Sequence, residues 1–64
     1  MKFKRIQSGH YDSVGGQLGV YSIRRIHGCW FLTYPGRYAA DDVYHTLREA
    51  KLAAYRWDVT QAGR

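Results

Sequence analysis

The sequence predicts an α+β fold, a three-stranded antiparallel β-meander with one C-terminal α-helix packed on one face (βββα). Runs rich in β-branched and aromatic residues alternate with glycine turns over about residues 2–34. The dipeptide His27-Gly28 separates two of these runs and has the length of a tight hairpin turn. Thr46 and Glu49 have the spacing of a helix capping box, and apolar residues recur after them at helical intervals.

The first strand is expected over residues 2–14 as one bent strand with a β-bulge at Ser8-Gly9. Residues 15–19 form a turn, and the second and third strands lie near 19–26 and 29–34. If His27-Gly28 is the turn, the register places Arg24 beside Phe31 and Ile23 beside Leu32.

Alternation along these strands gives the sheet two different faces. We expect the more apolar face to lie beneath the helix, and it carries Tyr21, Ile23, Arg25, Trp30, Leu32 and Tyr34. Arg25 is expected at the rim of this face, where its head reaches water. The residues expected to be largely buried together are Ile23, Trp30, Leu32, Leu47 and Trp57.

Pro35-Gly36 ends the third strand, and residues 35–45 are expected to form a loop. The helix is predicted over about residues 46–58, followed by a short tail, with Glu49 and Asp58 on its charged outer side. Its apolar stripe is Val43, Leu47, Ala50, Ala54 and Trp57. Asp41-Asp42 is expected to favour the positive end of the helix dipole; a contact with a basic partner or a cation is the alternative.

The 64 residues are expected to form one small domain, residues 1–64. The single Cys29 excludes an internal disulfide and favours a reducing, cytoplasmic setting. No apolar run follows the first residues, so we expect no signal peptide, and no stretch reaches the roughly 20 apolar residues of a membrane span.

Few residues have side chains that could act as a nucleophile or bind a metal ion. Cys29 with His10, His27 and His45 is the only set resembling a nucleophile or metal centre, and it lacks the spacing of a zinc site. Residues on the two sides of a tight turn diverge, which disfavours a Cys–His dyad. We therefore expect no catalytic residues, no metal, no cofactor and no enzymatic activity.

The second sheet face is the candidate binding surface. It carries Ser22, Arg24, Phe31 and Thr33, and this combination of a cation, hydroxyls and an aromatic ring is common where proteins contact nucleic acids or other proteins. The net charge of +5 permits an acidic partner. Alternatively, Phe31 is covered by the irregular first strand or by the C-terminal tail.

After the last predicted strand the chain has an aromatic residue, Tyr44, followed by the helix cap Thr46 and the pair Glu49-Ala50. In this respect the chain resembles, over about residues 20–57, the arm-type or AP2-like DNA-binding domains at the N-terminus of tyrosine-recombinase integrases. The resemblance implies that the sheet face opposite the helix reads the DNA major groove. The residues it implies are Ser22, Arg24 and Thr33, with Lys2, Lys4 or Arg5 from the first strand. The chain departs from that family in its fewer sheet cations, its longer insertion at residues 37–42 and its lack of a catalytic domain.

The chain also resembles, in style, small orphan proteins encoded by actinobacterial phages. The residues that carry this likeness are Tyr21, Ile23, Arg25, Gly28, Trp30, Thr46, Leu47, Glu49 and Ala50. This second resemblance implies a host or partner protein as the ligand. We thus expect a non-catalytic module of a bacterial or phage-infected cell that binds DNA, with a protein partner as the alternative and a homodimer possible.

Overall fold

The computed structural model describes residues 1–36 and 42–62. Over these residues the chain forms an antiparallel sheet and a C-terminal helix, which confirms the α+β class. The described sheet has five strands, so the expectation of three is wrong. In chain order the elements are β1 (Lys2–Gln7), β2 (His10–Val14), β3 (Ser22–Ile26), β4 (Cys29–Thr33), β5 (Asp42–Tyr44) and α1 (Leu47–Ala62).

The five strands form a meander in which each strand pairs with the next along the chain. The expected single strand over residues 2–14 is wrong, because Ser8 and Gly9 form a turn between β1 and β2. Gly9 has a φ of 74°, a left-handed conformation that glycine adopts at little cost. The irregularity in this pair of strands lies instead between Arg5 and Gln7.

The β3–β4 hairpin confirms the predicted register. His27 and Gly28 have φ values of 51° and 79°, and positive φ at both central residues is the signature of a type I′ turn. Arg24 pairs with Phe31. Because the twist of this turn matches that of paired strands, the local sequence is sufficient to align β3 and β4.

Strand β5 lies within residues 35–45, which were expected to be a loop. Val43 pairs with Phe31 of β4. It therefore belongs to the sheet and not to the apolar stripe of the helix, and it remains 53% exposed. A three-residue strand carries too little alternation to be distinguished from a loop in the sequence.

The end of β4 is joined to β5 by a side-chain hydrogen bond. The Tyr34 hydroxyl donates to Asp42 Oδ2 at 2.6 Å. Burial, together with this bond and the carboxylate charge, raises the pKa of Tyr34 well above its ordinary value. Asp42 thus belongs to the sheet and not to the approach to the helix, as was expected of Asp41-Asp42. Asp41 and residues 37–40 lie outside the described residues.

Helix α1 begins at the predicted cap and continues beyond its predicted end. Thr46 Oγ1 accepts the backbone N–H of Glu49 at 3.1 Å, as a capping box requires. The reciprocal bond differs from that of a capping box, because Glu49 Oε1 accepts the Thr46 hydroxyl, at 3.0 Å, and not the Thr46 backbone N–H. The helix ends at Ala62 and not near residue 58, because no Gly or Pro interrupts residues 59–62.

The core lies between the predicted sheet face and α1. Its buried apolar side chains are Tyr21, Ile23, Leu32, Tyr34, Ala50 and Ala54. The two alanines let the helix backbone approach the sheet. Trp30 and Leu47 are only partly buried and pack against this core. Trp57 was expected to be largely buried but is 36% exposed; it stacks on Tyr34 with ring centroids 4.7 Å apart.

Asp58 was expected on the outer side of α1, but it is buried, with only 4% of its surface exposed. Its carboxylate accepts the backbone N–H groups of Gln17 and Leu18, both at 3.1 Å, and the Tyr21 hydroxyl at 3.0 Å. Burial by itself raises the pKa of Asp58, but these bonds and the N-terminal ammonium outweigh it and lower the net pKa. Asp58 therefore fastens the β2–β3 loop to the helix.

Candidate functional site

The sheet has one face packed against α1 and one face that no other described element covers. Residues directly opposite each other on paired strands point to the same side, so the pairing assigns each side chain to a face. We call the uncovered side the open face. Its residues are Lys2, Lys4, Gln7, His10, Asp12, Val14, Ser22, Arg24, Ile26, Cys29, Phe31, Thr33 and Val43.

Arg24 lies at the centre of the open face. It pairs with His10 on β2 and with Phe31 on β4, and Val43 of β5 lies beyond Phe31. The guanidinium is exposed and has no hydrogen bond or ion pair to any described residue. It is therefore available to an anionic or hydrogen-bonding ligand.

The pairing of β1 with β2 separates the cations of the first strand. Lys2 pairs with Val14 and Lys4 with Asp12, which places both lysines on the open face with Arg24. Arg5 pairs with Tyr11, whose ring packs towards the core, so Arg5 belongs to the helix side. Of the first-strand cations implied by the resemblance, Lys2 and Lys4 share the face with Arg24.

Asp12 is a part of this surface that the sequence analysis did not identify. Its Oδ1 lies 2.8 Å from His10 Nε2 and accepts the Ser22 hydroxyl at 2.9 Å. Ser22 therefore already uses its hydroxyl hydrogen within the protein. His10 and Asp12 are two residues apart on β2 and therefore share one face of the sheet. The expectation of one bent strand over residues 2–14 hid this relationship.

The half of the open face formed by β4, β5 and the end of β3 is mainly apolar. Phe31 is partly buried, while Ile26 is 46% and Val43 53% exposed. Strand β5 lies beside Phe31 in the sheet, and residues 63 and 64 of the tail considered as its cover lie outside the described residues. The open face therefore has a cationic half on β1, β2 and the first part of β3, and a mainly apolar half on β4, β5 and the end of β3.

A groove with a volume of about 540 Å³ lies on the other side of the molecule. Tyr34 and Tyr44 of the sheet and Leu52, Arg56 and Trp57 of α1 are among its lining residues. The groove combines aromatic rings from the sheet and the helix with the Arg56 cation, and no residue expected in the binding site lines it.

The residues with nucleophilic or metal-binding side chains remain dispersed. Within residues 1–36 and 42–62, no three His, Cys, Asp or Glu side chains form a group that could hold a metal ion. His10 contacts Asp12 and not Cys29. The helix in the described part of the chain has neither the length nor the apolar content of a membrane span.

The chain was compared with protein-family models, curated proteins and solved structures, and none of them matches it. The candidate site is therefore argued from its own geometry.

Proposed function

We propose that this protein is a non-catalytic module that binds DNA through the cationic half of the open face. One observation carries the proposal: Lys2, Lys4 and Arg24 share this face, and no described carboxylate forms an ion pair with any of them. Such free cations attract phosphate and release counterions when they bind it. The resemblance to integrase DNA-binding domains favours the same face.

The dimensions of the sheet favour contact of the DNA major groove with β1, β2 and β3 rather than with all five strands. Neighbouring strands lie about 4.8 Å apart, so three strands span about 10 Å and five about 19 Å. The major groove is about 12 Å wide. Between their axes, β1, β2 and β3, which include Lys2, Lys4 and Arg24, span less than this width, whereas all five strands lying flat exceed it.

The three cations are suited to different contacts. A guanidinium in the middle of the surface can bond two atoms of a guanine edge at once, which favours Arg24 for base contact. Lys2 and Lys4 lie on the edge strand β1, where the sheet would meet a phosphate backbone. Thr33 lies on β4, outside these three strands, and its hydroxyl has no described partner.

A partner protein is the second candidate, and the apolar half of the open face favours it. Ile26, Phe31 and Val43 form an apolar strip on three neighbouring strands or their ends. A host protein or a second copy of this chain would bury this strip, with Phe31 as an aromatic anchor.

Salt-dependent binding of a duplex to the parent and to two arginine variants tests the DNA proposal. Arg24→Ala should weaken binding by about 1–3 kcal/mol and reduce the salt slope by about 1. The matched control is Arg56→Ala, which removes the same charge from the exposed surface of α1. Because α1 lies on the other side of the sheet, this control should leave the affinity within about 0.5 kcal/mol of the parent.

The same experiment separates the two candidates. Equal losses from both arginine variants would show that the open face is not the DNA surface. If the parent binds no duplex at low salt, the DNA proposal is wrong. A captured protein whose affinity falls with Phe31→Ala and hardly changes with salt would then favour the apolar strip.

A further inference from the structure

A carboxylate in the cationic half of a DNA-binding surface requires an explanation. Of the carboxylates that the structure describes, Asp12 alone lies on the open face, directly opposite Lys4. It forms no ion pair with Lys4, and near phosphate its charge would oppose binding. Phosphate contact therefore gives no reason for an acid at this position.

The surroundings of Asp12 hold its carboxylate in one orientation. His10 and Ser22 both contact Oδ1, at 2.8 Å and 2.9 Å. No described group donates to Oδ2, and the side chain is 32% exposed. One oxygen is thus anchored within the sheet, while the other can accept a hydrogen bond from a ligand on the open face.

The position of Asp12 relative to Arg24 suggests which ligand group it meets. Asp12 pairs with Ser22, and Arg24 follows two residues later on the same face of β3. Such diagonal neighbours lie about 7–8 Å apart. The Asp12 carboxylate, a hydrogen-bond acceptor, and the Arg24 guanidinium, a bidentate donor, therefore face the ligand side by side.

We propose that Asp12 reads cytosine in the DNA major groove, so that the surface prefers duplexes rich in G·C pairs. Cytosine presents an N4 amino donor there, whereas guanine presents two acceptors suited to Arg24. Adenine also has an amino donor, but its N7 acceptor lies beside it and is repelled by a carboxylate. This inference rests on the proposed DNA binding and adds the base preference to it.

Two duplexes of equal length, one of G·C pairs alone and one of A·T pairs alone, test this inference by fluorescence anisotropy. The parent should bind the G·C duplex about tenfold more tightly. Asp12→Asn keeps an oxygen for His10 and Ser22 but gains an amide, which pairs well with adenine. It should abolish the G·C preference and bind the A·T duplex more tightly than the parent does.

Glu49→Gln is the matched control, because it removes one negative charge from the exposed surface of α1. It should leave the ratio of the two affinities unchanged. A parent that binds both duplexes equally, or an Asp12→Asn variant that keeps the preference, would overturn the role of Asp12 while leaving DNA binding intact. A parent that binds neither duplex would overturn both proposals.

Discussion

The Tyr21 hydroxyl donates a hydrogen bond of 3.0 Å to Asp58 Oδ1, and both residues are buried. The bond joins the residue that precedes β3 to the fourth turn of α1, 37 residues further along the chain. Burial, followed by the bond and the charge of Asp58, raises the pKa of Tyr21 well above its ordinary value. The pair therefore links the helix, the β2–β3 loop and the core.

We expect Asp58→Asn to lower the free energy of unfolding by about 2–4 kcal/mol, because charged hydrogen bonds are lost and an amide donor would oppose the N–H groups of Gln17 and Leu18. Urea unfolding measures the change. Glu49→Gln makes the same chemical change on the exposed surface of α1, keeps an oxygen for the Thr46 hydroxyl and should cost less than about 1 kcal/mol. Equal effects would show that Asp58 has no special structural role.

Asp58 should also contribute to the pH dependence of stability. Its pKa is lowered by folding, so its contribution is complete above the unfolded value of about 3.9 and is lost as pH falls through the lower folded value. The difference in melting temperature between the parent and Asp58→Asn should therefore shrink as pH falls from about 5 to about 2. A difference that stays constant over this range would contradict the lowered pKa.

Two leucines distinguish the core from the helix surface. Leu32 is fully buried, whereas Leu52 is 45% exposed. Leu32→Ala should cost about 2–5 kcal/mol of stability through lost transfer energy and a cavity. Leu52→Ala should change stability by less than about 1 kcal/mol, since alanine favours the helix. Thermal or urea unfolding measures both values. Similar losses of stability in the two variants would show that Leu32 is not in the core or that Leu52 is not on the surface.

The helix cap has a matched threonine control. Thr46 Oγ1 accepts the Glu49 N–H, while Thr60 is exposed near the end of α1. Thr46→Ala should lower stability by about 1 kcal/mol. Thr60→Ala should be neutral or slightly stabilising. If circular dichroism melts give the opposite order, the first turn is not capped by Thr46.

The turn between β3 and β4 offers a stabilising substitution. His27 has a φ of 51°, and asparagine enters this left-handed region more readily than histidine does. His27→Asn creates the Asn-Gly sequence that type I′ turns favour and should raise stability by about 0.5–1 kcal/mol. Gly28→Ala, at a φ of 79°, should instead destabilise by about 1 kcal/mol. A loss of stability in His27→Asn would argue against this turn type.

The sequence alone was sufficient where neighbouring residues decide the structure. The turn at His27-Gly28 sets the pairing of Arg24 with Phe31, and Thr46 sets the start of α1. Both depend on hydrogen bonds among residues close along the chain. The alternation of apolar residues around Ile23 and Leu32 likewise predicted which sheet face lies beneath the helix, and both side chains are buried there.

Tertiary structure decided the features that depend on distant residues. Whether Ser8-Gly9 bends one strand or reverses the chain depends on pairing along all of β1 and β2, and this pairing puts Lys2 and Lys4 on the open face. Strand β5 exists only because β4 provides its hydrogen-bonding partners. Asp58 looks like any charged helix residue until the β2–β3 loop supplies its donors. Local propensity carries no information about such partners, since they meet only when the chain has folded.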